Sequence, residues 1–317
     1  MNLSLTDVMK FEVIIIGGGA AGISAALWCD ELGLSALLLE AAKEFGGQLL
    51  WTHNEIKNHL GIEAENGREM RDIFVRQIKN SRFEKRFGAK VSEIDLTEKA
   101  VILENGEKLS AQTIIIASGV RRRKLDVEGE REFQNKGIIT SGKRDAEKAA
   151  GKNVLIVGGG DAAFENALIL AENSKSVTLA YRGTDFRARA EFIEQAVKNP
   201  KIKLLTETIV KEITGTEKVE AVELENLKTK EIRNYSFEVI LIRIGVEPNT
   251  EFLRGKIDLD KNGYVKINET CETSAKDFFA IGDAANPLAP TISSAVGTGA
   301  TAVKTITNYK LRMYKNF

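Results

Sequence analysis

Cysteine is almost missing from these 317 residues: Cys29 and Cys271 are the only two, far apart in the chain. That count excludes a disulfide framework, a thiolate zinc site and a C-x-x-C redox centre. Both cysteines read as small buried apolar side chains. No apolar run approaches the roughly 18 residues of a membrane span. The first ten residues, MNLSLTDVMK, lack a basic head, an apolar stretch and a small-residue cleavage site, so the expectation is a cytoplasmic protein. An excess of charge is missing too: lysine plus arginine and aspartate plus glutamate stand at 45 each. No whole-molecule field therefore steers the chain to nucleic acid or an anionic membrane, and a charged partner has to be met by a local patch.

Present instead is enough length for two ordinary domains, and glycine in a repeated arrangement. FEVIIIGGGAAGISAALWCDELGLSALLLE starts as a β-branched run, turns through Gly17, Gly19 and Gly22, continues as an apolar helix and returns to a strand ending in Glu40. This is the pattern of a βαβ unit that takes a dinucleotide. Gly17 permits the tight turn, Gly19 lets backbone approach a pyrophosphate, and Gly22 brings helix against strand. The helix start offers amide donors to the phosphates, and Glu40 is placed for a ribose hydroxyl.

The pattern recurs in KNVLIVGGGDAAFENALILAENSKSVTLAYRG, with Gly158, Gly160 and Ala163 at the three small positions. Two dinucleotides are expected. The second unit ends without an acid and runs into Arg182, Arg187 and Arg189, which either suit the 2′-phosphate of NADP or are solvated loop residues. TIIIASGV and FEVILIRIGVEPNT read as the strands that return from each unit. FFAIGDAANPLAPTISSAVGTGATAVKTI reads as a strand into Gly282 and Asp283, a loop and a small-residue helix. Asp283 either holds a ribitol hydroxyl or caps a turn. The fold class that follows is α/β with two Rossmann-like dinucleotide-binding domains, the second inserted in the first: residues 1–122 with 249–317, and residues 123–248.

GGGAAG, GGQL at 46–49, ASG at 117–119, LDVEGE at 125–130, GGGDAAFENA at 158–167, GVEPNT at 245–250 and AIGDAA at 280–285 occur in that order. In this the chain resembles the low-molecular-weight thioredoxin reductases and the thioredoxin-reductase-like ferredoxin–NADP reductases, over nearly its whole length. The resemblance implies FAD along Gly17, Gly19, Ala20, Ala21, Gly22, Glu40, Gly47, Gln48, Leu49, Asn58, Val91, Ala117, Gly119, Gly282, Asp283, Thr291 and Ile292. It implies NADP, with NAD possible, along Gly158, Gly160, Asp161, Ala162, Ala163, Tyr181, Arg182, Arg187 and Gly245. A homodimer is implied as well.

The family's redox cysteine pair falls on Ser141 and Arg144, with Asp145 after them kept. A serine hydroxyl cannot cycle between thiol and disulfide, so reduction of thioredoxin by the usual route is not expected. The leading expectation is a FAD-dependent NAD(P)H oxidoreductase that exchanges electrons with a small acidic carrier, ferredoxin or flavodoxin. An NAD(P)H oxidase or a flavin or quinone reductase, and a non-enzymatic FAD-binding redox sensor, stand beside it. RRRK at 121–124 is the densest positive run and either docks the carrier or is a solvated loop. Arg144 either lies by the ring, where a fixed cation would raise the flavin potential, or points to solvent. Trp51, His53, Asn58 and His59 lie on the stretch that in the family passes near the ring. Trp51 stacks there or is core, and the histidines relay a proton or are loop residues.

Overall fold

The computed structural model describes residues 11–315; residues 1–10, read above for targeting signals, lie outside the described residues. The chain divides into two compact units, Met1–Arg121 with Glu247–Phe317, and Arg122–Val246.

The first unit opens with β1 (Phe11–Ile16), α1 (Ala20–Glu31) and β2 (Ala36–Glu40), followed by α2 (Gly67–Gln77) and β3 (Glu84–Phe87). It continues with β4 (Val91–Asp95), β5 (Ala100–Leu103) and β6 (Lys108–Ile116), and the chain leaves through β7 (Val120–Arg122). β1 is covered on both faces, so Val13, Ile14 and Ile15 are fully buried and its apolar run is continuous rather than alternating. The strand order is β3-β2-β1-β6-β5-β4. β1, β2, β3 and β6 are parallel, while β4 and β5 extend the sheet antiparallel.

The second unit holds β8 (Ile138–Ile139), β9 (Asn153–Val157), α3 (Asp161–Ala171), β10 (Ser176–Ala180), α4 (Ala190–Lys198) and β11 (Ile202–Leu205). β12 (Thr208–Gly215), β13 (Val219–Asn226) and β14 (Ile232–Ser236) form a separate antiparallel sheet, and β15 (Val239–Ile242) returns to the parallel one. That parallel sheet runs β11-β10-β9-β15-β8. β16 (Val246–Pro248) pairs with β7.

Back in the first unit, β17 (Phe278–Ala280) pairs parallel with the end of β6, and α5 (Ile292–Lys315) packs on α1. Small residues allow that approach: a Cβ on Gly299 would lie 2.8 Å from the Ala21 carbonyl oxygen. The Ser24 hydroxyl donates to the Val296 carbonyl at 2.7 Å and fixes the register of the two helices. Among the described residues no helix is long and apolar enough to cross a membrane.

Candidate dinucleotide sites

The turn between β1 and α1 can only be made of glycine where it is tightest. Gly17 has φ +108, and a Cβ on Gly22 would stand 1.8 Å from the Gly17 carbonyl oxygen. Gly19, by contrast, faces open space. It is the N-cap of α1, extended, with no side chain bonding the first-turn amides and no acid in that turn. Those amides are available to an anion. The Glu40 carboxylate braces the turn by accepting from the Gly18 amide at 2.8 Å and the Ala42 amide at 2.7 Å.

Three further segments meet this turn. The Gly46 amide donates to the Gly18 carbonyl at 2.9 Å, and a Cβ on Gly47 would lie 3.3 Å from the Gly19 Cα. Gln48 Nε2 donates to the Val120 carbonyl at 2.7 Å, so the segment that meets the glycine turn is also tied to the start of β7. A Cβ on Gly17 would stand 2.4 Å from the Ala117 carbonyl oxygen, which sets Ala117–Gly119 beside it. Asn249 latches that segment, with Nδ2 on the Ser118 carbonyl at 2.8 Å and its own amide on the Gly119 carbonyl at 2.9 Å. Asn249 was missed as a site residue; the only signal for it in the sequence is its place after a proline in GVEPNT.

Two polar groups here, one buried and one half-buried, have no protein partner among the described residues. Ser118 Oγ is buried without a hydrogen bond. Asp283, on a short 3-10 turn at Gly282–Ala284, has no ion-pair or hydrogen-bond partner among the described residues, and burial pushes its pKa up. A ligand hydroxyl at either group would satisfy what the protein leaves open. With the open helix start, these groups fit a flavin dinucleotide.

Other residues expected near FAD have the following surroundings. Thr291 caps α5, its hydroxyl accepting from the Ser294 amide at 3.2 Å. Val91 is buried at the start of β4, opposite Leu103, and Leu49 is core. Trp51 is 50% exposed and is not core. Asn58 is exposed, and His59 Nδ1 lies 3.0 Å from Ser293 Oγ.

The second turn repeats the geometry. Gly158 has φ +149, and a Cβ there would be 2.2 Å from the Arg243 carbonyl oxygen. Gly160 is the extended N-cap of α3, faces open space and has no side-chain cap. Ala163 is fully buried against the turn. Asp161 accepts from the Arg189 amide at 2.7 Å and from its guanidinium at 3.2 Å, so Arg189 is neutralised. The guanidinium groups of Arg182 and Arg187 are exposed and have no partner among the described residues. The Tyr181 ring lies over Gly159 and Gly183, 5.5 Å from the Phe186 ring. Gly245 is exposed with φ +92.

At the positions of the family's dithiol, the loop is closed by charge. Asp145, 3% exposed, accepts from the Thr140 amide at 3.2 Å and the Ser141 amide at 3.1 Å. It also takes Arg144 Nη2 at 2.8 Å and Lys148 Nζ at 3.0 Å, which hold its pKa far below the carboxylate range against the opposing cost of burial. Arg144 also donates to the Thr140 hydroxyl, so its guanidinium is committed to this loop rather than free. The two cysteines are buried elsewhere, and burial pushes Cys29 up to about 12 and Cys271 up to about 11. The run at 121–124 is partly engaged as well, with Arg123 and Lys124 exposed. Arg121 pairs with Glu247 at 2.8 Å and with Glu251, Arg122 donates to the Thr140 carbonyl, and Arg123 Nε donates to the Val246 carbonyl at 2.9 Å.

A family model described as pyridine nucleotide-disulphide oxidoreductase matches residues 11–302. The chain belongs to this family. This pyridine nucleotide-disulphide oxidoreductase is 33% identical over 304 residues to the thioredoxin reductase of Mycolicibacterium smegmatis, covering 94% of this chain and 96% of that one. It is 30% identical over 313 residues to an NADH dehydrogenase of Bacillus subtilis, covering 96% of this chain and 60% of that one. The crystal structure of Lactococcus lactis thioredoxin reductase in its FR conformation superposes with a TM-score of 0.83 at 31% identity, over 96% of this chain and 100% of that one. The fold is thus thioredoxin reductase-like, with two Rossmann-like domains, and FAD and NADPH are the cofactors of the family. The redox cysteine pair is absent.

Proposed function

We propose that the chain is a FAD-dependent NAD(P)H oxidoreductase that delivers reducing equivalents without a sulfur intermediary. The observation that carries this reading is the loop Thr140–Asp145, where Ser141 and Arg144 stand in place of a dithiol and are tied to Asp145. No other thiol substitutes, because Cys29 and Cys271 are buried and held protonated.

In this reading the discontinuous unit holds FAD. The amides at the start of α1 take the pyrophosphate, Glu40 a ribose hydroxyl, and Asp283 a ribitol hydroxyl. Gln48 and Asn249 hold the Val120 and Ser118 carbonyls, which shapes the floor of the site. The unit at 122–246 holds the nicotinamide dinucleotide on the α3 amides. Arg182 and Arg187 are the free cations for a 2′-phosphate, which favours NADPH over NADH. When bound, FAD supplies the ability to accept a hydride and to release electrons to an acceptor.

The acceptor we favour is a small acidic carrier such as ferredoxin or flavodoxin, with the enzyme working as a homodimer. A second reading, direct reduction of oxygen, quinone or free flavin, draws support from the ion pairs of Arg121 with Glu247 and Glu251, which leave Arg123 and Lys124 as the exposed cations of that run. Anaerobic stopped-flow mixing of the yellow protein with NADPH and with NADH tests the first half. Bleaching that is faster with NADPH is expected, and absence of bleaching with either would leave a FAD-binding redox sensor. Cytochrome c reduction that requires added ferredoxin or flavodoxin supports the carrier; turnover with quinone alone supports the second reading.

A further inference from the structure

Cations outnumber their partners at one corner of the unit at 122–246. Thr140 follows β8, Gly158 follows β9 and Arg243 follows β15, so all three stand at the carboxyl ends of neighbouring parallel strands. Open α/β sheets take their ligands at that edge. Arg122 Nη1 and Arg243 Nη2, the latter at 2.8 Å, both donate to the single carbonyl oxygen of Thr140, and Arg243 Nη1 donates to the Ile242 carbonyl at 2.9 Å. A guanidinium carries five N–H donors, and Arg243 spends two of them on protein while Arg122 spends one.

Neither arginine forms an ion pair among the described residues. Arg144 is the third cation here and Lys148 the fourth, and both are already on Asp145, whose remaining lone pairs take the Thr140 and Ser141 amides. Glu165 is the other acid whose field reaches Arg243. Burial lowers the pKa of both arginines, Arg243 to about 10; repulsion by Arg122 adds to it in Arg243, and repulsion by Arg144 in Arg122. Capping one carbonyl needs a single N–H and no charge, so two half-buried guanidinium groups on one oxygen cost more than that task requires.

We propose that Arg122 and Arg243 form an oxyanion site, built to take the carboxylate or phosphate of a small ligand. Two sources share this chemistry. One is a phosphate of the dinucleotide held at Gly158–Gly160, whose turn lies against the Arg243 carbonyl. The other is an anionic group on the electron acceptor. The choice of source rests on the function proposed above, whereas the site does not.

Thermal unfolding of the FAD-loaded protein in millimolar inorganic phosphate tests the site. Phosphate is expected to raise the Tm of the native sequence and of the Arg182→Met/Arg187→Met double variant. The rise should vanish in Arg122→Met and Arg243→Met, and shrink in Arg243→Lys, which keeps charge but loses the fork. Without phosphate, Arg243→Met should be at least as stable as the native sequence, because it removes like-charge repulsion. A phosphate response that survives in Arg122→Met and Arg243→Met, or a native protein that ignores phosphate, overturns the proposal.

Turnover assigns the source. A rise of about 10-fold in the ferricyanide KM of Arg243→Met, with p-benzoquinone unaffected, marks an anionic acceptor, and a similar rise in the NADP+ Kd marks the dinucleotide. A protein that answers phosphate but is not bleached by either nicotinamide keeps the site and loses the function.

Discussion

At the scale of single residues, the decisive one is Asp145. Its carboxylate is 3% exposed and accepts from two amides, Arg144 and Lys148. Its folded pKa lies below the unfolded value of about 4. The stabilisation it gives is therefore present above that unfolded value and is lost as pH falls below about 4 toward the folded pKa. Asp145→Asn keeps the shape but leaves four cations around a neutral amide, and should cost about 3 kcal/mol, the low end for a broken buried pair because Arg144 and Lys148 reach solvent. Urea unfolding at pH 7 reads that loss, and the same titration repeated toward pH 3 should show the native protein converging on the variant. Parallel pH curves would remove Asp145 from the account. Only the local part of this network was legible in the sequence. SGKRDAE shows that a dithiol is gone and holds Ser141 and Arg144 among the partners of Asp145, but not the two arginines that meet the loop at the Thr140 carbonyl, Arg122 and Arg243, 18 and 103 residues away from Thr140. The run RRRK was incompletely legible for a related reason, since Glu247 and Glu251, which pair with Arg121, lie far along the chain from it.

At the scale of elements, the two strand–turn–helix units were legible because local chemistry dictates them. A β-branched run buried on both faces, a positive-φ glycine and a glycine at the helix start leave few alternatives. The glycines of one turn still do different jobs, and that separates two substitutions. Gly158→Ala forces a Cβ to 2.2 Å from the Arg243 carbonyl at φ +149, so it should destabilise the unit by about 3 kcal/mol. Gly160 is extended and faces open space, so Gly160→Ala should change stability by less than about 0.5 kcal/mol. Its methyl would occupy the space in front of the α3 amides, and the Kd for NADPH should rise at least about 10-fold. Fluorescence titration beside thermal unfolding separates the two effects. Equal nucleotide affinity in Gly160→Ala and the native protein would show that the dinucleotide does not use this helix start.

At the scale of the whole molecule, the discontinuous unit sets the argument. The proposed FAD groups come from both ends of the chain: Gly17–Gly22 and Gln48 from the first passage, Asn249 and Asp283 from the last. β17 joins them physically by pairing with β6 at Ile114–Ile116, and α5 packs on α1 through Gly299. A bound dinucleotide should then tie down segments more than two hundred residues apart in one step, since a ligand that binds only the assembled site stabilises everything the site is made from. Hydrogen exchange read by mass spectrometry on the apoprotein, before and after adding FAD, gives the readout. Slower exchange is expected together at 17–23, 46–49 and 281–296, while NADP+ should slow 158–164. Protection by FAD confined to 17–23, with 281–296 exchanging as in the apoprotein, would take Asp283 out of the site and leave its half-buried, unpartnered carboxylate in need of another ligand.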